Sequence, residues 1–131
     1  WGYDRGDKWV PPTLKERTPS CIEVNDPHMG TYFYSVREHP DLCTFKNPHE
    51  LLFTENNTNS QRLFRSPNAT PYVKDGINDY VVHGAPTVNP AKTGTKAAGR
   101  FFRAIPPGGS YCVQVRFADT QHAEPFADVD A

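Results

Sequence analysis

Thirteen prolines and nine glycines are scattered along 131 residues and leave no uninterrupted stretch whose pattern suits a long helix. Proline fixes its own φ, lacks an N–H donor and pushes the preceding residue away from helical geometry. The chain is thereby cut into short segments, and many short strands are the arrangement left open. A chain of this size holds one hydrophobic core and buries on folding roughly two thirds of the surface that its unfolded form exposes. Leu, Ile, Val and Phe supply only about a fifth of the residues, near the level where ordered chains give way to disordered ones. A net charge of −1 removes the self-repulsion that keeps disordered chains open. The expectation is a single domain, or half-domain, with a thin core.

Lys and Arg (14) nearly balance Asp and Glu (15) and are interspersed with them. No basic face for nucleic acid or an anionic membrane surface results. No apolar run approaches the ~20 residues needed to span a bilayer, and the N-terminal residues form neither a basic nor an apolar signal region. On this basis the sequence excludes nucleic-acid and membrane partners and leans towards the cytoplasm. A first residue of Trp rather than Met fits a product trimmed from something longer.

Along the chain, residues 1–19 hold Trp1, Tyr3 and Trp9 without periodicity and read as an extended lead-in. Alternation predicts strands over Ser20 to Asn25 and, in an aromatic and β-branched stretch, Met29 to Val36. Three consecutive apolar residues, Leu51, Leu52 and Phe53, predict a short strand covered on both faces. The Asn-rich stretch from Glu55 to Ala69 reads as a long ordered loop. Asp75-Gly76 resembles a tight hairpin turn, and Tyr80 to His83 a strand closed by Gly84. After the polar stretch from Val88, a strand is expected near Thr95. The strongest local pattern predicts a terminal hairpin, with Arg100 to Ile105 and Tyr111 to Ala118 flanking Pro106-Pro107-Gly108-Gly109-Ser110. Tyr111, Val113, Val115 and Phe117 would share one face of its second strand. Residues 119–131 read as a linker-like tail. The fold class expected is all-β, an antiparallel β-sandwich of partial supersandwich type with long ordered loops.

The candidate chemistry is thin. His28, His39, His49, His83 and His122 lack the His-x-His and His-x-x-x-His spacings that bring two imidazoles to one face, so no metal site and no cofactor is expected. Cys21, Cys43 and Cys112 are odd in number and widely spaced, a pattern that fits idle or buried thiols, with a single bridge left open. No nucleophile elbow or phosphate loop is present. Glycoside hydrolysis needs two carboxyls about 5 to 9.5 Å apart, but the acids of the middle region, Glu55, Asp75 and Asp79, read better as turn and cap formers. No catalytic residue is assigned. Saccharide binding draws on aromatic faces with planar amides and carboxylates, and these are dense in residues 54–59 and 74–80. Asn56-Asn57-Thr58 and Asn68-Ala69-Thr70 are formal N-glycosylation acceptors.

Several segments in order carry a family likeness: Leu51-Leu52-Phe53-Thr54-Glu55-Asn56-Asn57-Thr58-Asn59, Arg62-Leu63-Phe64, the run from Pro71 through Lys74-Asp75-Gly76-Ile77-Asn78-Asp79-Tyr80 to Gly84, Val88-Asn89-Pro90, and Gly94-Thr95-Lys96-Ala97-Ala98. Trp1-Gly2 and Pro107-Gly108-Gly109-Ser110 extend it over nearly the whole chain. Together they resemble proteins related to glycosyl hydrolase family 63, close to the mannosylglycerate hydrolase and glucosidase branch. The resemblance implies an N-terminal β-sandwich followed by an (α/α)6 helical barrel that carries both catalytic carboxyls. Arg37 to Pro48 departs from the family pattern as an insertion. The expectation is therefore a non-catalytic module without its barrel, inactive alone and cut from an inverting α-glycosidase. Its partners would be the missing barrel, an α-linked glucoside or mannoside, and a second copy through an uncovered edge. The polar groups of these segments, Glu55, Asn57, Asn59, Arg62, Lys74, Asp75, Asn78, Asp79 and His83, are the substrate-binding candidates. Two other classes stay open: a stand-alone carbohydrate-binding β-sandwich using exposed Trp or Tyr, and a small metal enzyme on a cupin-like barrel.

Overall fold

A computed structural model describes residues 10–38 and 49–129. Its first fixed point is a turn. The Asp26 carboxylate accepts hydrogen bonds from the backbone N–H groups of His28 (2.8 Å) and Met29 (2.9 Å), and Gly30 follows at φ +92°. An Asp that bonds the backbone two and three residues on, with glycine at positive φ, closes a hairpin cheaply. That hairpin joins β2 (Cys21–Asp26) to β3 (Gly30–Glu38) in antiparallel register, with Ile22 opposite Tyr34 and Val24 opposite Tyr32. Its neighbours are β1 (Thr13–Thr18) beside β2 and, after the middle of the chain has been traversed, β5 (Thr93–Gly94) beside β1 and β7 (Val113–Ala118) beside β3. The five strands run in the order β5-β1-β2-β3-β7. A second antiparallel sheet consists of β4 (Glu50–Thr54) and β6 (Lys96–Arg100). Among the described residues, two short helices, α1 (Ser60–Phe64) and α2 (Gly76–His83), interrupt an otherwise all-β fold. No helix among the described residues is long and apolar enough to cross a membrane.

The core lies where the two sheets meet. Ile22 and Val36 of the first sheet pack with Leu51 and Phe53 of the second, flanked by Leu14, Val24, Tyr34, Ala97 and Phe101. Phe53 has no exposed surface at all. Period-2 alternation accounts for the set, because alternate residues of β2 and β3 point to the same face. The opposite face of the five-stranded sheet carries Cys21, Glu23 and Ser35, all buried. Residues 119–129, expected to be linker-like, fold back there: Phe126 is buried, with the Arg37 guanidinium 4.7 Å from its ring centroid. Asp128 is held by Arg116 at 2.5 and 2.6 Å.

Among the described residues the second sheet is narrower than the first and does not cover all of it. Val115 and Phe117 lie opposite Val36 and Tyr34 in the ladder, hence on the core-facing side, yet they are 52% and 60% exposed. The Tyr32 ring stacks on Phe117 at 5.1 Å and 4°. The apolar face thus runs past the cover that β4 and β6 give it.

Several expected elements are corrected. Tyr80 to His83 is the end of helix α2 rather than a strand, and Asp75-Gly76 begins that helix instead of turning a hairpin. The β-branched pair Val81-Val82 is overridden by a helix stop, since Gly84 at φ +66° donates its N–H to the carbonyls of Asp79 and Tyr80. The Glu55 to Ala69 loop contains helix α1. The turn at Pro106 to Gly109 forms, with Gly109 N–H bonded to Pro106 O at 2.9 Å and Gly108 at φ +75°. No hairpin flanks it: Arg100 to Ile105 is not a strand, since β6 ends at Arg100 and pairs with β4 and residues 101–105 are irregular, while the second expected strand is formed only as β7, which joins β3 in the other sheet. Alternation assigns faces but carries no information on partners. Residues 13–18 of the extended lead-in become β1. Trp1, Gly2, Tyr3, Trp9, His39 and Cys43 lie outside the described residues, as does the proposed insertion beyond Glu38.

On the outer face Glu23 accepts a hydrogen bond from the Asn25 amide (2.8 Å) and meets Lys15 (3.1 Å) and Arg17 (2.8 Å). The Asn25 bond first, then Lys15 and Arg17, hold its carboxyl below the ordinary value of 4.5. A carboxyl depressed in the folded state takes up protons less readily than in the unfolded chain, so its stabilisation is present above 4.5 and lost as pH falls through the lowered folded value. The expected result is that Glu23→Gln is less stable than the native chain at neutral pH. That difference should shrink below pH 4.5 in urea titrations; a pH-independent difference would refute this account.

Candidate functional site

The polar middle of the chain is anchored at the end of β4. Glu55 N–H bonds Tyr72 O at 2.8 Å, while the Thr95 hydroxyl accepts from Asn56 N–H (2.8 Å) and donates to Glu55 Oε2 (2.7 Å). From this root the chain enters α1, whose N-cap is Asn59: its Oδ1 accepts from Arg62 N–H at 3.1 Å. An amide at that position satisfies one of the donors that a helix start leaves open. Helix α2 starts beside it. Its residue Gly76 lies so close to Thr87 that an added Cβ would sit 2.3 Å from the Thr87 carbonyl oxygen, and Thr87 Oγ1 donates to Gly76 O at 2.6 Å.

The two helix starts are joined by side chains. Arg62 splays its guanidinium between two carboxylates, with one amino group 2.6 Å from Asp75 Oδ2 and the other 2.6 Å from Asp79 Oδ2. Asn59 Nδ2 donates to both oxygens of Asp75 (3.1 and 3.2 Å), and Asn68 Nδ2 donates to Asn59 Oδ1 at 2.9 Å. The guanidinium fork suits two acceptors at once. These groups line a concavity of about 440 Å³ together with Pro71, Val73 and Thr87.

Of the nine candidates, Asn59, Arg62, Asp75 and Asp79 therefore come together. Asn78 is exposed and does not line the concavity, its amide 3.4 Å from Asp79 Oδ1. Glu55 is engaged by Thr95 outside this network. Asn57 and Lys74 meet through their backbones, Lys74 N–H to Asn57 O at 2.9 Å. His83 is exposed in the last turn of α2.

Sequence reasoning left out Asn68, noted only as a glycosylation acceptor; its place in the amide-rich stretch was the available signal. It also left out a second cluster. Tyr80 Oη donates to Glu50 Oε1 at 2.6 Å, Arg100 approaches Glu50 Oε2 at 3.4 Å, and the same guanidinium lies 5.7 Å from the rings of Tyr80 and Phe102. The Glu50 bond, followed by burial, raises the Tyr80 phenol above its ordinary 10. A concavity of about 400 Å³ opens beside it between Tyr72, Pro86, Val88, Asn89 and Lys92. Glu50 and Tyr80 are far apart in sequence and on different element types, so no motif could have paired them.

Chemically, the Arg62 network offers fixed donors and acceptors. Both carboxylates are committed to the same guanidinium, an arrangement suited to holding hydroxyls or backbone in place. Among the described residues no three His, Cys, Asp or Glu side chains gather closely enough to hold a metal ion. No family model, curated protein or solved structure matches this chain.

Proposed function

We propose that the chain is a non-catalytic β-strand module of a family 63-like glycoside hydrolase, supporting the helical barrel that performs the chemistry and contacting an α-linked glucoside or mannoside. The observation that carries this is the exposed part of the core-facing sheet surface. Val115, Phe117 and the Tyr32 ring stacked on it form an exposed apolar surface of the kind that can seat another body. A stand-alone sugar-binding protein would instead present a flat aromatic platform ringed by polar groups. The saccharide contact falls to the Arg62 network, where planar amides, carboxylates and a guanidinium converge on one concavity. Such groups pair with vicinal hydroxyls as donors and acceptors.

Calorimetric titration with α-glucosides, α-mannosides and mannosylglycerate, with product analysis on the same samples, tests both halves. Saturable heat without product is expected, and Arg62→Ala should weaken it at least tenfold, about 1.4 kcal/mol. Released sugar would refute the non-catalytic assignment. Silence on every sugar, or undiminished heat in the variant, would remove the contact at Arg62.

A further inference from the structure

The concavity of about 400 Å³ beside Glu50 and Tyr80 shares no lining residue with the Arg62 network, and every residue that lines it is among those described. Neighbouring residues divide the two spaces between them. Pro71 and Val73 line the Arg62 side while Tyr72 lines this one, and along α2 the same split separates Asp79 from Tyr80. The space is floored by β4 and walled by Tyr72, Tyr80, Pro86, Val88 and Pro90. Small-molecule sites commonly have this size and character, mostly apolar with a few placed polar groups.

Two of the polar groups at its margin are already committed. The Asn89 amide donates to Thr93 O at 2.7 Å and accepts from Ala91 N–H at 3.0 Å. Glu50 accepts the Tyr80 hydroxyl on one carboxylate oxygen and meets Arg100 at 3.4 Å on the other, so its charge is countered. Lys92 differs. Its backbone is held at φ +55°, a costly conformation for a residue other than glycine that persists where surrounding bonds enforce it. Those bonds run from Lys92 N–H to Asn89 O (3.1 Å) and from Glu16 N–H to Lys92 O (3.0 Å). The Lys92 ammonium reaches Leu51 O at 2.6 Å, with Glu16 Oε2 standing off at 4.0 Å. An ammonium has three donors, and the Leu51 carbonyl uses one.

A cation at the margin of an apolar space with two tyrosines selects its occupant. A sugar needs hydroxyl partners around its ring, and this lining is mostly apolar. A flat apolar body with one anionic end matches it, because aromatic rings pack in offset or edge-to-face contact and a carboxylate meets an ammonium in a charge-assisted bond. We propose that this concavity binds a small aromatic carboxylate, its ring packed against Tyr72 and its carboxylate held by Lys92. The site is distinct from the saccharide contact and does not rest on it.

The test is calorimetric titration of the 131-residue chain with indole-3-acetate, beside indole-3-acetamide, which carries the same ring without the charge. The carboxylate is expected to bind saturably at one site and the amide about tenfold more weakly or worse. Tyr72→Ala should weaken the carboxylate by a similar factor, while Tyr72→Phe, which keeps the ring, should leave it unchanged. Lys92→Met should bring carboxylate and amide to equal affinity. Arg62→Ala, or an excess of methyl α-mannoside, should leave carboxylate binding as it was. Urea midpoints verify the fold of each variant, and the comparison of the two ligands on the native chain needs no variant at all. No saturable heat with the carboxylate, equal affinity for the two ligands in the native chain, undiminished binding in Tyr72→Ala, or loss of binding in Arg62→Ala would each overturn the proposal.

Discussion

Truncating Phe53 to alanine is expected to destabilise the fold by about 3 to 5 kcal/mol, the range for removing a fully buried aromatic side chain. Phe53 has no exposed surface and sits with Leu51 against Ile22 and Val36, so its ring fills the space where the two sheets meet. A β4–β6 pair cannot reclose over that void without sliding, because its register is set by five successive pairs from Glu50–Arg100 to Thr54–Lys96. Small domains are stable by about 5 to 15 kcal/mol in all, and a chain with so few large aliphatics belongs at the lower end. The variant should show a broad or early urea transition and bind hydrophobic dye in the absence of denaturant. Phe64→Ala is the companion measurement, since Phe64 is 69% exposed; a surface truncation of this kind shifts stability within about 0.5 kcal/mol. Equal losses for the two variants would mean that the sheets are not held together through Phe53.

The same residue shows what was legible in the sequence. Leu51-Leu52-Phe53 announced a strand buried on both sides because three adjacent apolar residues cannot all share one face, and β2 and β3 were visible as alternation bounded by a turn. What escaped was pairing. The terminal hairpin had correct turn chemistry at Pro107-Gly108 and a correct face at Val115 and Phe117, but Arg100 to Ile105 forms no strand and β7 pairs with β3 instead. Partner choice is decided by long-range packing that local patterns do not encode. At Tyr80 to His83, β-branched residues pointed to a strand, whereas the glycine stop at Gly84 and the packing of Gly76 on Thr87 made a helix. The candidate site was half legible. Asn59, Arg62, Asp75 and Asp79 were marked as polar groups in the right segments, while their convergence depends on two helix starts lying side by side. Glu50 with Tyr80 was invisible for the same reason.

Gly94→Ala should be among the most damaging glycine-to-alanine changes at the described residues. Its backbone φ is not in the left-handed region, so conformational freedom does not explain the glycine; close approach does. A Cβ there would lie 2.3 Å from Thr54 O and 2.8 Å from Thr54 C, and these are backbone atoms of a fully buried residue, unable to swing aside. Gly94 occupies the seam where the chain leaves β5, paired to Leu14 in the first sheet, and enters β6 in the second, tied by Thr95 N–H to Thr54 O at 3.1 Å. Relieving the clash must separate β5 from β4 and stretch that bond. Overpacking commonly costs 1 to 3 kcal/mol, and with no flexible neighbour to yield the expected loss is about 3 kcal/mol. Gly99→Ala provides the contrast within β6: its Cβ would meet only the Phe101 ring edge at 3.4 Å. Replacing glycine inside a strand there should be neutral or stabilising by up to about 1 kcal/mol. The seam also carries the loop, since the Thr95 hydroxyl holds Glu55 and Asn56 at its root. Gly94→Ala should therefore lower amide-exchange protection through α1 as well as the urea midpoint, and weaken any sugar heat centred on Arg62. A variant as stable as the native chain would show that β5 and β4 do not approach as closely as this geometry requires.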